Sequence, residues 1–373
     1  MKKVLIVFGT RPEAIKMAPL VNEFLQYPED FTLKVCVTAQ HREMLDQILD
    51  FFHIIPDYDL NIMRSGQSLA QITAHILELI NPVFEDFKPD MVLVHGDTAT
   101  TMTTALAAFY CQIPVGHVEA GLRSFNKFSP FPEEVNRNIT TLVSKFHFAP
   151  TLGAEQNLIQ ERVRSEDILV TGNTVIDALL EGSKILDEHE DRYISKSLKD
   201  QIEPGKRMIL VTAHRRENFG QGFINMAEAL LEISQLKDIQ IVIPMHLNPS
   251  VRDILLNKLS SQKNILLIEP QSYPAFIWLM KKSYLILTDS GGVQEEAPSL
   301  HKPVLVMRDT TERPEGIKSG VLRLIGTSRE EIFRHTQELL DNPIAYSAMA
   351  RSSNPYGDGK ASEKIVHFLK NRL

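Results

Sequence analysis

The stretch Leu287–Gly316, LTDSGGVQEEAPSLHKPVLVMRDTTERPEG, ends an apolar run at Ser290-Gly291-Gly292 and turns at once into a glutamate-rich helix start. A buried strand that stops at paired glycines and opens a helix presents free backbone N–H groups, a common cradle for phosphate. Glu295 and Glu296 fall on the first turns of that helix, where glutamates often answer the helix dipole. One of them could also accept hydrogen bonds from sugar hydroxyls, as an acidic residue does for ribose in dinucleotide folds. In LVTAHRREN, His214, Arg215, Arg216 and Glu217 end another apolar run and are placed to meet a phosphate. In FGTRPEAIK, Arg11 and Lys16 bracket a helix start with Pro12 in its first turn, which suits an anion; the plainer alternative is a loop-capping Arg11 and a solvated Lys16.

Carboxylates form the second group. Asp97 ends VHGD ahead of a helix rich in Thr and Ala, where it either caps the helix or works in a site. Glu119 follows an apolar strand, and Glu133 and Glu134 follow a loop held by Pro130 and Pro132. A carboxylate at a strand end in a cleft is a candidate acid or base. Glu134 and Arg137, three residues apart on a helix, read as a surface pair, which favours Glu133.

The elements that must position these groups are short apolar runs separated by helical stretches: Val4–Phe8, LKVCVTA, Met91–His95, PVGHV and Ile168–Gly172, then MILVTAH, IQIVIPMH, ILLIEP, YLILTD and PVLVM. Continuous apolar strands between helices indicate parallel sheets covered on both faces. The expected fold is α/β, with two doubly wound Rossmann-like domains, residues 1–172 and 173–373, facing a cleft. The polar stretch from Glu181 to Arg207 suits a connecting helix and hinge loop, and the last helix is a candidate to pack back on the first domain. Ligands of such sheets sit beyond the carboxyl ends of the strands, and every cluster above falls at one.

At 373 residues the chain exceeds what one core usually fills. A formal charge of −7 disfavours general attraction to nucleic acid or anionic membrane, so an anionic ligand must be caught by local basic groups. Cys36 and Cys111 lie in apolar surroundings and read as buried, reduced thiols of a cytoplasmic protein. No run approaches a membrane span. The first strand is followed by no GxGxxG, and the chain holds no GxxxxGK[ST], HExxH or CxxC, so neither a nicotinamide cofactor nor a metal is expected.

Taken in order, FGTRPEAIKMAPL, TAQHREMLDQ, VHGDT, GHVEAGLRS, SPFPEEVNR, TGNTVIDALL, HRRENFG, TDSGGVQEEAPSL, KPVLVMRDTTERPEG and NPYGDG resemble the non-hydrolysing bacterial UDP-N-acetylglucosamine 2-epimerases from Lys3 to about Gly359. The resemblance implies a glycosyltransferase-B type fold, a homodimer, a cell-envelope or capsule pathway, and interconversion of UDP-GlcNAc and UDP-ManNAc with no cofactor. By motif, it implies that Arg11, Lys16, His214, Ser290, Gly291, Gly292, Glu296 and Arg313 hold the UDP moiety and that Gln271 and Phe276 form the uracil pocket. Asp97, Glu119 and Glu133 become the acid/base carboxylates. UDP-GlcNAc is a regulator in many members, and Gln40, His41 and Met44 are candidates for that second site. Loop residues Phe125–Phe128 depart from the family pattern. The alternatives are a UDP-sugar glycosyltransferase of the same fold, a hydrolysing epimerase that releases ManNAc, and a catalytically inactive sugar-nucleotide sensor.

Overall fold

The computed structural model describes residues 1–39, 42–64 and 66–373, with Ser250 by its backbone alone. The chain forms two compact units, Met1–Glu181 with Tyr356–Leu373, and Gly182–Pro355.

The first unit runs β1 (Lys2–Phe8), α1 (Arg11–Phe24), β2 (Phe31–Val37), α2 (Arg42–Phe51), β3 (Tyr58–Asp59), α3 (Leu69–Phe87), β4 (Met91–His95) and α4 (Ala99–Tyr110). It continues through β5 (Val115–Val118), α5 (Glu133–Val143), β6 (Phe146–Ala149), α6 (Leu152–Gln160) and β7 (Ile168–Val170) into α7 (Thr174–Tyr193). Its parallel sheet has the order β3-β2-β1-β4-β5-β6-β7. From Val4 to Phe8 every residue of β1 is fully buried; because successive side chains point to opposite faces, both faces of the sheet are covered. Each such aliphatic side chain contributes about 1.5–3 kcal/mol on burial.

The second unit follows with α8 (Lys196–Gln201), β8 (Arg207–Thr212), α9 (Gln221–Ile233), β9 (Ile239–Pro244), α10 (Pro249–Leu259), β10 (Ile265–Ile268), α11 (Tyr273–Lys282), β11 (Leu285–Thr288) and α12 (Gly291–Glu296). It is completed by β12 (Val304–Val306), α13 (Pro314–Ser319), β13 (Leu322–Leu324), α14 (Arg329–Asp341) and α15 (Pro343–Ala350). This sheet is also parallel, with order β10-β9-β8-β11-β12-β13. In both sheets the winding reverses beside the first strand, at β1/β4 and at β8/β11. Such a reversal is where the loops part and leave room for a ligand.

Three short strands, β3, β6 and β13, are absent from the pattern of apolar runs. β6 is only FHFA, and its histidine interrupts the apolar signal although all four residues are buried.

The division between units falls inside α7 rather than at Gly172–Asn173. Val175, Ile176, Ala178 and Leu179 are still buried in the first unit, and the helix departs from helical geometry only at His189 (φ −136°, ψ 35°). The chain returns at its end. Tyr356 O accepts from Asn173 N at 2.7 Å, and the buried Asp177 carboxylate accepts Ala361 N and Ser362 N (3.2 and 2.8 Å) at the start of α16 (Ala361–Lys370). Gly172 (φ +88°) permits this approach, since a Cβ there would sit 3.0 Å from Gly357 Cα. From α16, Phe368 packs edge-on against Phe146 and Phe148 of β6.

Cys36 is buried, but Cys111 is exposed, contrary to the reading of its apolar neighbours. It ends α4 at the C-cap, where the helix meets solvent. Among the described residues no helix is long and apolar enough to cross a membrane.

Candidate active site

In the first unit the β1–α1 turn is built without slack. A Cβ on Gly9 would lie 1.9 Å from Thr38 Oγ1. Thr10 caps α1, and Glu13 completes a capping box, accepting Gly9 N and Thr10 N at 3.0 and 2.8 Å. The other oxygen of Glu13 accepts the hydroxyls of Thr98 and Thr101 (2.6 and 3.0 Å), tying this turn to the first turn of α4. Lys16, one turn into α1, is not solvated but pairs with Glu119.

Glu119 follows β5 with φ +63°, a left-handed conformation uncommon outside glycine that often marks functional positions. Its carboxylate is buried, accepts Asn173 Nδ2 at 2.7 Å and lies 3.8 Å from His95 Nε2. Burial alone would raise its pKa. The Lys16 ammonium and the hydrogen bonds from Lys16 and Asn173 outweigh that and hold it well below the ordinary carboxylate range. Glu119 is therefore an ionised carboxylate in a dry setting, while burial brings the His95 imidazole down to about 4 and keeps it neutral.

Asp97 is not the helix cap. Thr98 takes that place, its hydroxyl accepting Thr101 N at 3.1 Å, and Asp97 Oδ2 instead accepts Arg137 Nε and Nη2 at 2.9 and 2.6 Å. Asn136 Nδ2 holds the Asp97 carbonyl at 2.8 Å. A Cβ on Gly96 would come within 3.6 Å of Glu119 Oε1, so the Glu119 carboxylate lies against the residue preceding Asp97. The Glu134–Arg137 pair is no surface pair. Glu134 is 2% exposed and accepts Ser124 N, Phe125 N and Arg137 Nη1 at 3.0, 2.9 and 3.1 Å. Burial opposes its ionisation, but these donors hold its pKa below the usual value. Glu133 opens α5, and its Oε2 is buried with no hydrogen-bond partner among the described residues. An uncompensated buried carboxylate oxygen is costly until a donor arrives.

In the second unit the residues after β8 and β11 interlock. Asp289, fully buried, accepts His214 N and Arg215 N at 2.9 and 2.8 Å, and its Oδ1 lies 3.2 Å from His214 Nδ1. Burial opposes the Asp289 charge, yet His214 and the two backbone donors hold its pKa down. The carboxylate fixes Nδ1 as the donor and leaves Nε2 of His214 for a ligand. The rings of His214 and His246 stack at 5.5 Å, and both line a cavity of about 430 Å³ with Arg215, Arg216, Glu217 and Asn248. The face of Gly291 is approached by two guanidinium groups: a Cβ there would lie 3.4 Å from Arg215 Nη2 and 3.5 Å from Arg313 Nη2. Arg215 Nε is buried without a partner among the described residues. Glu295 pairs with Arg313, and Glu296 accepts Tyr273 Oη at 3.2 Å, so both do more than answer the dipole of a six-residue helix. Behind them Arg308 bridges Glu217 and Glu312, and its hydrogen bonds bring the Glu312 carboxyl down to about 2.

The UDP-N-acetylglucosamine 2-epimerase family model matches residues 24–370. The chain is 56% identical to the UDP-N-acetylglucosamine 2-epimerase of Escherichia coli K12 over 371 residues, covering 99% of this chain and 98% of that one. It belongs to the UDP-N-acetylglucosamine 2-epimerase family. Among solved structures it is similar to the UDP-GlcNAc 2-epimerase from Neisseria meningitidis bound to UDP-GlcNAc, with TM-score 0.86, 52% identity, and 99% and 100% of the two chains covered. It is also similar to the Methanocaldococcus jannaschii enzyme in complex with UDP-GlcNAc and UDP, with TM-score 0.77, 35% identity and full coverage of both chains. The chain is an isomerase with UDP-N-acetylglucosamine 2-epimerase activity.

Within this epimerase, Lys16 joins Glu119, and Asp97 is held by α5, the helix that Glu133 opens. His214, Gly291 and Arg313 share the residues that Asp289 and Arg215 organise. Gln271 donates to Glu269 O at 2.6 Å ahead of α11, which carries the half-buried Phe276. Gln40 and His41 lie outside the described residues, and Met44 is exposed on α2. Sequence reasoning passed over Asp289, Glu13, Asn173 and His95. Asp289 and His95 were detectable as polar residues at the carboxyl ends of apolar runs and the Thr10–Glu13 capping box by its spacing, whereas Asn173, and Glu13 in its bonds to Thr98 and Thr101, act on groups far away in the sequence.

Proposed function

We propose that the chain interconverts UDP-GlcNAc and UDP-ManNAc without hydrolysis, by eliminating UDP to a bound 2-acetamidoglucal and adding it back. The C2 hydrogen is not acidic in the intact sugar. Breaking the anomeric bond first places positive charge on the ring, as in glycoside cleavage, and that charge makes the C2 hydrogen labile.

The groups of each unit suit one part of this work. His214, oriented by Asp289, stabilises the departing diphosphate together with Arg215, Arg313 and the Ser290–Gly292 backbone. Arg11 adds a cation, Glu296 accepts sugar hydroxyls, and Gln271 and Phe276 take the uracil. Inversion needs one proton carrier on each face of C2. The observation that carries this reading is the contrast between Glu119, ionised on Lys16, and Glu133, whose Oε2 is buried without a partner among the described residues. Asp97, held by Arg137, is the third carrier. Lys16 serves by keeping Glu119 charged. Relatives whose structures hold UDP-GlcNAc or UDP support the substrate assignment.

We further propose a cytoplasmic homodimer that feeds cell-envelope polysaccharide synthesis, with UDP-GlcNAc as activator. The central test is incubation with UDP-GlcNAc in heavy water, followed by proton NMR. Deuterium at C2 of both epimers is expected. Release of free ManNAc would indicate hydrolysis, and absence of exchange would reject the elimination route.

A further inference from the structure

We propose that a groove along α5, running from the β5–α5 loop to the amino ends of β6 and β7, binds a second small molecule: a hydroxylated anion with an apolar face, of the sugar-phosphate class. Two cavities of about 530 and 580 Å³ share Asn138 and Glu161 in their walls and so adjoin. Lys145 precedes β6, His147 is its second residue and Asp167 precedes β7, which puts this end of the groove at the amino ends of the strands. The candidate catalytic groups stand at the carboxyl ends.

Charge in the groove is unevenly satisfied. Glu161 is bound by Arg123 through Nε at 2.6 Å and Nη2 at 2.7 Å, and Asp167 by Arg164 at 2.7 Å. Lys145 and Arg162 have no carboxylate partner among the described residues and remain available to an anion. His147 supplies the independent observation. It is 2% exposed, it lines the groove, and its Nδ1 has no hydrogen-bond partner among the described residues. Burial keeps this imidazole neutral. A neutral imidazole has one donor and one acceptor nitrogen. A hydroxyl, which can donate or accept, would satisfy Nδ1 in either tautomer. At the other end, Phe125 and Phe128, each 71% exposed, offer ring faces suited to the C–H face of a sugar. Phosphate on the two cations, hydroxyl on His147 and ring on phenylalanine together define the ligand class.

The test uses the full chain with glucose 6-phosphate as probe, read by isothermal titration calorimetry. Lys145 and Arg162 are exposed, so Lys145→Glu/Arg162→Glu retains the fold. Saturable binding is expected, weakened at least about tenfold in that variant and weakened again by His147→Phe, with glucose and inorganic phosphate each binding less well. The proposal is overturned by absence of saturable binding at millimolar concentrations, by unchanged affinity in the double variant, or by equal affinity for inorganic phosphate. Loss of binding in Arg215→Ala alone also overturns it, because that result assigns the probe to the second unit.

Discussion

His214 and Asp289 act as one group: the carboxylate accepts from the His214 backbone and faces its Nδ1, so the ring has a single orientation and tautomer. Asp289→Asn should lower kcat about a hundredfold, and adding His214→Asn should cost little more, since residues acting as a unit are not additive. Additive losses in steady-state kinetics would contradict the pairing. Asp97→Asn should abolish deuterium incorporation at C2 yet leave UDP affinity nearly intact by calorimetry; lost affinity would make Asp97 a structural partner of Arg137 instead. The reach of sequence reasoning is clearest here. Asp97, Glu119 and His214 were legible because each ends an apolar run. The burial of Glu134 was not, because its donors come from Ser124 and Phe125, in the loop before α5, and no spacing rule links them. The capping of α4 was ambiguous for a local reason, since Asp97 and Thr98 are adjacent and both residue types cap helices.

At the scale of elements, β4, β5 and β6 carry a row of buried histidines. His117 and His147 face each other across the sheet. Burial lowers His95 to about 4, His117 to about 3 and His147 to about 4. The unfolded chain takes up these protons near the ordinary histidine value while the folded sheet refuses them. Stability is therefore full above about pH 6.5 and falls as pH drops toward about 4, with a slope of up to roughly 4 kcal/mol per pH unit. Urea unfolding at pH 7, 6 and 5 should show this decline, and His147→Gln should remove about one third of the slope; a flat profile would contradict it. The β1–α1 turn gives a second element-scale prediction. Gly9→Ala should destabilise the first unit by at least about 1–3 kcal/mol, because its Cβ meets Thr38 Oγ1. Thr38→Ala in the same chain should recover part of the loss in thermal melts.

For the whole molecule, the alternation of strands and helices was readable as two parallel sheets, since a strand covered on both faces has no polar positions to disguise it. The return of the chain was only a suggestion in the sequence, because the pairing of Asn173 with Tyr356 joins residues that no local pattern connects. Deleting the chain beyond Pro355 should strip α16 from β6 and cancel the Ala361 and Ser362 bonds to Asp177. Hydrogen exchange should then show lost protection in β6 and β7 with β8 and β11 unchanged; equal loss in both sheets would refute two separate cores. The same discontinuity dictates an order of events on the ribosome. The second unit is one uninterrupted stretch and can close as soon as it emerges. The first, although its strands are translated earlier, stays open at β6 until α16 has emerged, so the half that is made first is completed last and stays longest in need of a chaperone.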